Sequence, residues 1–414
     1  MSVKTPVYLD NNATTPVDPR VLDAMLPYFR EKFGNAASIH HPYGWEAKDA
    51  VDKARQQVSL ILNCDVKEVI FTSGATESDN VALIGTMEAN AKKGNHLITA
   101  TTEHKAILDT AKYLESKGYR VTYLPVDKQG NIDLDELDGS ITSETVMISL
   151  MLANNEVGTI HPVHEIGRIA AKHGVIFHCD ATQAVGKVPV NVQEMGIHLL
   201  SMSGHKLYGP KGVGALYVRE KNPRVKVAPL IHGGGHERGI RSGTMNVPGI
   251  VGLGEACEIA MREMPEEAPR LAGLRDRLEQ GTLSRLQYVH VNGNPEMRLP
   301  NTSNMSFEYV EGESIMLDMK DVAVSSGSAC TSAKLEGSYV LKAMCLPEEL
   351  VHTSLRFSLG RFNTEEEIDF TIERLVRAVT RLRELSPLYE MAQKGIDLST
   401  IQWNEDHPEG HHHV

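Results

Sequence analysis

Between residues 69 and 218 the chain alternates short apolar runs, rich in β-branched residues, with longer stretches whose apolar positions recur at helical spacing. "EVIFTS" leads into "ESDNVALIGTMEANAKK", "HLITAT" into "KAILDTAKYLESKG", "RVTYLPV" into "LDELDGS", and "TVMISLML" into "HEIGRIAAKHG". "VIFHCDA" then runs into a loop, and "HLLSMS" and "GVGALYV" follow with only a short connection. Strands that are apolar throughout are covered on both faces, and strand–helix alternation implies right-handed crossovers. The prediction is an α/β protein with a mostly parallel sheet flanked by helices, and one antiparallel strand at "GVGALYV". After about residue 250 long helical stretches ("RLAGLRDRLEQGTLSRL", "EEEIDFTIERLVRAVTRLREL") surround short strands such as "TSNMSFEY" and "SLRFSLG". This reads as a smaller α+β domain. The predicted division is a large domain over 16–260 and a small one built from 1–15 and 261–414. In an open parallel sheet the ligand lies beyond the carboxyl ends of the strands, so the loops there should carry the chemistry.

Composition narrows the class. The 414 residues are 41% apolar and 23% charged, an ordinary globular balance. A net charge of −12 gives no general attraction for a nucleic-acid backbone. No apolar run approaches the roughly 20 residues of a membrane span, and "MSVKTPVYLD" lacks a signal-peptide pattern. Five cysteines without a CxxC pair argue against a disulfide framework and for a reducing, cytoplasmic setting. The ending "HPEGHHHV" reads as a tail or an expression remnant, with adventitious metal binding as the other reading.

Five loops at predicted strand ends hold candidate chemistry. "TSGATES" places Gly74, Ala75 and Thr76 before a helix, as an anion cradle or an ordinary capped start. "TEHKA" puts His104 at a strand end, to stack on a flat ligand or cap a helix. "ANNEVGTIHP" offers Asn154, Asn155 and Glu156, to orient a polar ligand or satisfy a turn. "FHCDATQAVG" ends an apolar strand on Asp180, with Gln183 three residues on. A carboxylate there needs a cationic partner, either a pyridinium nitrogen or an arginine. "SMSGHKLYGPKG" sets Lys206 between glycines beside Ser203 and His205, as a desolvated amine suited to a Schiff base or a surface lysine. Together they supply an anion cradle, a ring, a carboxylate, an amide and an amine, the set that pyridoxal 5′-phosphate requires.

The motifs "YLDNNATTP", "TSGATESDN", "TEHKA", "NNEVGTIHP", "HCDATQAVGK", "SGHKLYGPKGVGALY", "HGGGHERGIRSGTMN" and "SSGSACTS" resemble those of the pyridoxal-phosphate-dependent cysteine desulfurases of the NifS/IscS type, over nearly the whole chain. "SSGSACTSAKLEGSYVLKAM" is similar to the longer cysteine loop of the IscS-like group. The resemblance implies the type I pyridoxal-phosphate transferase fold, with Lys206 holding the cofactor, His104 on its ring, and Asp180 at the ring nitrogen. It places Gln183 and Asn155 at the phenolic oxygen, and Ala75, Thr76, Ser203 and His205 at the phosphate. Thr244 would reach that phosphate from the second subunit of a homodimer with shared sites. Arg356 would bind the carboxylate of L-cysteine, together with Asn155. Cys330 would take the sulfur as a persulfide, in a small, polar stretch able to meet both the cofactor and an acceptor. Lys206 and His104 are then the proton-transfer candidates.

The same resemblance implies delivery to an IscU-like iron–sulfur scaffold and to other acceptors such as tRNA thiolation. A transient [2Fe-2S] cluster shared through Cys330, and scaffold docking by the C-terminal segment, belong to the same expectation. The alternatives are a selenocysteine lyase or aminotransferase of the same fold, or a non-catalytic assembly platform. Cys64, Cys179, Cys257 and Cys345 read as packing residues. "GGGHERG" reads as a backbone-shaping loop near the dimer contact, and "DNNATTP" as a turn that docks close to the site.

Overall fold

The computed structural model describes residues 3–326 and 337–395. Its largest sheet has seven strands: β1 (Val69–Thr72), β2 (His96–Ala100), β3 (Arg120–Leu124), β4 (Thr145–Ser149), β5 (Ile176–Asp180), β6 (Leu199–Ser203) and β7 (Gly214–Val218). Their spatial order is β1-β7-β6-β5-β4-β2-β3. All neighbouring pairs are parallel except those of β7, which runs antiparallel to both β1 and β6. The expected reversed strand is therefore "GVGALYV", inserted between two strands that point the same way.

Alternate residues of each strand feed two cores. Phe71, Ile98, Ile148, Phe177, Leu200 and Tyr217 join one apolar cluster, and Ile70, Leu97, Met147, Ile176, Leu199 and Leu216 the other. Two-sided burial is why these runs are apolar without a break. On the first face α1 (Pro42–Leu62) turns Ala47, Ala50, Val51, Ala54 and Val58 toward α5 (Val247–Leu283). Gly254 permits their close approach, since a Cβ there would lie 2.7 Å from the Ala54 Cα. On the second face lies α2 (Ala75–Ala89), with Val81, Leu83 and Met87 buried. Helices α3 (Lys105–Ser116) and α4 (Val163–His173) complete the crossovers that bear on the site.

The later part of the chain forms a second, antiparallel sheet: β8 (Val289–Asn292), β9 (Thr302–Phe307) and β10 (Ser354–Ser358), in the order β10-β9-β8. It packs with α6 (Glu365–Glu384) and the second half of α5 into a separate apolar cluster around Met305, Phe307, Leu355 and Phe357. Val7 and Leu9 belong to this cluster, so the N-terminal segment reaches it. Helix α5 is continuous through Pro265 and Pro269, and its 37 residues join the two regions. No described helix is long and apolar enough to cross a membrane.

Candidate active site

The loops that leave β1, β2, β4, β5 and β6 open onto one cavity of about 510 Å³ at the carboxyl edge of the large sheet. Its lining includes Ala75, Thr76, His104, Asn155, Asp180, Gln183, Ser203, His205, Lys206 and Arg356. Ten of the twelve residues to which the resemblance gives a binding or catalytic role thus meet in one place. Thr244 is exposed and does not line the cavity of its own chain. Cys330 lies outside the described residues, as do His407 and His411 to His413 and most of the predicted scaffold-docking segment.

One end of the cavity is built for an anion. Helix α2 starts at Gly74, whose φ of +152° is open to glycine alone and whose place at the cap brings no side-chain hydrogen bond. No side chain caps the first N–H groups of α2, although Glu77 Oε2 takes the Ser73 N–H at 2.9 Å, and Ala75 and Thr76 border the cavity at the positive end of the helix dipole. Gly214 of β7 lets that turn sit close, for a Cβ on it would lie 2.7 Å from the Gly74 Cα. Ser203 at the end of β6 and His205 stand beside this cradle. The His205 Nδ1 lies 3.1 Å from the Thr14 hydroxyl, and burial, with Lys206 next in effect, pulls its pKa down to about 4. It is a neutral ring at physiological pH.

The middle of the cavity holds the ring-binding candidates. Asp180 is the last residue of β5, almost buried, and its Oδ1 accepts only the Thr182 N–H at 2.9 Å. It makes no ion pair with an arginine among the described residues, which removes the structural alternative for this carboxylate. Behind it lie two fully buried carboxyls, Asp79 and Glu103. Burial, reinforced by the charge of Asp180, pushes both well above the usual carboxylate range. His104 caps a helix and also borders the cavity. Its Nδ1 accepts the Ala106 N–H at 3.1 Å as the cap of α3, while the ring lines the cavity. Burial lowers its pKa, so it too favours the neutral form.

Lys206 sits one short 3-10 turn after β6, its Nζ 2.6 Å from the Asn12 carbonyl and 2.8 Å from that of Ala13. The "DNNATTP" turn therefore docks on the amine itself. Asn154 and Asn155 divide the two roles open to them. Asn154 Oδ1 accepts the N–H groups of Glu156 and Val157 and holds the turn. Asn155 Oδ1 is buried at the cavity and has no hydrogen-bond partner among the described residues. An unpaired buried amide oxygen is costly unless a ligand donor meets it.

Arg356 is buried on β10, with Nη1 3.0 Å from the Asn155 carbonyl and Nη2 2.8 Å from Asp10 Oδ1. Its Nε has no partner among the described residues. Cradle, carboxylate, aromatic ring, amine and an unpaired amide oxygen together fit pyridoxal phosphate, and the guanidinium beside them fits an amino-acid carboxylate.

Sequence reasoning missed several participants. Asn12 and Ala13 line the cavity from a turn that was read only as docking nearby, and Asp10 is the ion partner of Arg356. Thr182, Lys211 and Gly212 also line it, without any signal beyond their place in loops already singled out. One expectation is corrected: Cys345 is exposed, at a φ of +56° after a short helix, and is not a packing residue. Cys179 and Cys257 are buried as expected, and Cys64 is partly buried.

Similarity searches agree with the geometry. The aminotransferase class-V family matches residues 7–370. The chain is 54% identical over 405 residues to cysteine desulfurase IscS of Anaeromyxobacter dehalogenans (strain 2CP-C), covering 98% of this chain and 100% of the relative. It is 54% identical over 403 residues to the cysteine desulfurase of Homo sapiens, covering 97% and 88% respectively. Among solved structures, a NifS-like protein superposes with a TM-score of 0.84 at 41% identity, over 90% of this chain and 99% of that one. SspA in complex with cysteine matches at 35% identity with a TM-score of 0.76, over 86% of this chain and 100% of that one.

Proposed function

This chain belongs to the aminotransferase class-V family and is a cysteine desulfurase, and from that premise we propose how its own residues divide the work. The family implies pyridoxal phosphate as cofactor and L-cysteine as substrate. The observation that carries the assignment of roles is the convergence of Lys206, Asp180, His104, Asn155 and Arg356 on one cavity.

In this reading the N–H groups of Ala75 and Thr76, with Ser203 and neutral His205, hold the phosphate. Asp180 faces the ring nitrogen, His104 lies on the ring, and Gln183 and Asn155 serve the phenolic oxygen. Bound there, pyridoxal phosphate supplies an electron sink for the pair left when the α-proton of cysteine departs. Lys206 would hold the group at Nζ, and its amine, when free, would take the α-proton of the substrate, with His104 as the second proton carrier. Arg356 fixes the substrate carboxylate, and its Nε is the donor still without a partner. The Cys330 thiolate attacks the substrate sulfur, the carbon–sulfur bond breaks with its electron pair left on the β-carbon, a persulfide forms on Cys330, and alanine leaves once a proton has been added at the β-carbon and one returned to the α-carbon.

Two described contacts bracket the Cys330 stretch at this cavity. Upstream, Ser325 pairs with Arg356; downstream, the Ser338 hydroxyl donates to Glu156, the neighbour of Asn155. A homodimer with Thr244 completing the phosphate site of the partner subunit is supported by an exposed apolar surface over Leu22, Leu26, Phe29, Phe33, Tyr43 and Trp45. Sulfur delivery to an IscU-like scaffold and to tRNA-thiolation acceptors, a transient [2Fe-2S] cluster through Cys330, and a cytoplasmic location extend the proposal. So does the division into 16–260 and 1–15 with 261–414, supported by the separate apolar clusters.

The test is a visible spectrum of the purified protein before and after L-cysteine, with alanine and persulfide assayed in the wild type and Cys330→Ala. The cofactor band should survive in Cys330→Ala while persulfide and alanine vanish. Unchanged alanine and persulfide production in that variant would overturn the role of Cys330.

A further inference from the structure

Lys187, three residues beyond Ala184, is a buried lysine that forms no ion pair among the described residues. Its Nζ donates to Gln183 Oε1 at 2.7 Å and to Asn12 Oδ1 at 3.4 Å. On the other side, Gln183 Nε2 donates to the Asn12 carbonyl at 2.9 Å, and the same carbonyl accepts Lys206 Nζ at 2.6 Å. Lys187 and Lys206 also border one small void of about 10 Å³ behind the cavity, with Glu267 and Asn301. Burying an amine is costly, and nothing about packing the core calls for one here.

We propose that Lys187 is a positioning residue that holds the Gln183 amide in the one orientation presenting an N–H, not a carbonyl, to the cavity. The inference rests on the reading of this cavity given above. Burial pulls the Lys187 pKa down to about 7; its charged form has three donors and no acceptor, and a carbonyl has only acceptors, so the lock is strongest while the amine is protonated. Turning the Gln183 amide over would set its NH₂ against Lys187 and its oxygen against the Asn12 carbonyl. Both bonds would be lost in a buried site, a cost of a few kcal/mol that the present orientation avoids. One Nε2 hydrogen is taken by Asn12, so the second is the group that Gln183 offers to a ligand. An acceptor on that ligand, such as the phenolic oxygen of the cofactor, is stabilised in its anionic form. Loss of Lys187 removes the lock and, where the amine is protonated, a cation close to Lys206. Each change favours the protonated linkage between Lys206 and the cofactor, so the two act in the same direction.

The experiment titrates the visible band of the holoenzyme between pH 6 and 10 in the wild type, Lys187→Met, Gln183→Leu and the double variant. Lys187→Met is expected to raise the midpoint by about one pH unit, a tenfold change in proton affinity. The double variant should move no further than the larger single shift. A wild-type midpoint in Lys187→Met overturns the proposal, and so does a double shift equal to the sum of the singles. Lys187→Arg keeps a donor-only cation and serves where the methionine variant does not fold. A midpoint at the wild-type value, with Gln183→Leu raised, supports the lock, and a raised midpoint in both overturns it. A wild-type protein with no cofactor band would instead defeat the reading of the cavity, which separates the two failures.

Discussion

Ser325 and Arg356 exchange two backbone hydrogen bonds, Arg356 N–H to the Ser325 carbonyl at 2.7 Å and the return bond at 3.3 Å. The arginine that lines the cavity is therefore laddered to the first residue of the stretch that bears Cys330. Its side chain is held just as firmly, by the Asn155 carbonyl and Asp10. The guanidinium meets these two acceptors with a third donor still to spare, which an ammonium cannot reproduce at the same points. Arg356→Lys is expected to raise the KM for L-cysteine about 10- to 100-fold, the loss of a charge-assisted pair. The cofactor band in the absence of substrate should stay as in the wild type. A steady-state comparison checks this, and an unchanged KM would take the substrate carboxylate away from Arg356.

The anion cradle depends on two backbones touching. A Cβ at residue 214 would lie 2.5 Å from the Met202 carbonyl oxygen and 2.7 Å from the Gly74 Cα. Neither is the end of a flexible side chain, so β7 or the turn before α2 must move. Gly214→Ala is expected to cost about 1–3 kcal/mol of stability, as overpacking does, and to weaken cofactor retention by disturbing the N–H groups of Ala75 and Thr76. Gly273→Ala is the control, because a Cβ there meets nothing within 4 Å and the residue is inside a helix. Thermal denaturation, with cofactor content measured after dialysis, distinguishes the two.

Glu156 titrates in an unusual place. It is fully buried and takes a hydrogen bond from Ser338, and burial pushes its pKa from 4.5 up to about 7. The folded protein therefore holds a proton that the unfolded chain releases. Stability from this group is complete below pH 4.5 and is lost as pH rises through 7. The span corresponds to about 3 kcal/mol at most. Glu156→Gln keeps the acceptor for Ser338 and removes the charge. Its stability should be flatter than that of the wild type between pH 5 and 8, with the larger gain at pH 8. Denaturant midpoints across that range provide the check.

The fold was legible because its sheet is buried on both faces. Runs such as "TVMISLML" and "VIFHCDA" are apolar without a break, and the one reversed strand announced itself by the short link before Gly214. Asp180 stood out because a carboxylate closes an otherwise apolar run, and His104 and Lys206 because their loops follow strands. What stayed hidden depends on contacts between distant segments. Asn12 serves two lysines, at positions 187 and 206, and nothing in "DNNATTP" reports that. Asp10 meets Arg356 across 346 positions. Nothing in "AVGK" sets Lys187 apart, because burial is a property of the assembled fold. Cys345 was misread for the converse reason: its short helix ends in a left-handed turn that brings the thiol to the surface.

The exposed apolar surface near the N-terminus leads to the last prediction. Phe33 and Tyr43 stack with ring centroids 5.3 Å apart, and the Trp45 indole N–H is tied to the Ile39 carbonyl, so these side chains form one ordered patch. Phe33, Ile39, Tyr43 and Trp45 are each more than half exposed in the single chain. Monomers rarely leave so large a patch uncovered, and the proposed occupant is a second copy, which would also bring Thr244 to a neighbouring cavity. In a two-fold dimer every substitution acts twice. Replacing one buried phenylalanine removes about 1.5–3 kcal/mol per subunit, before the cost of burying a charge. Phe33→Glu should accordingly weaken dimerisation at least about 100-fold, by the affinity arithmetic for roughly 3 kcal/mol. Sedimentation velocity at micromolar protein should show monomer, and the monomer should hold its cofactor less tightly because the contact from Thr244 is gone. A stable dimer of Phe33→Glu would place the subunit contact elsewhere, and monomers that retain the cofactor fully would remove Thr244 from the phosphate site.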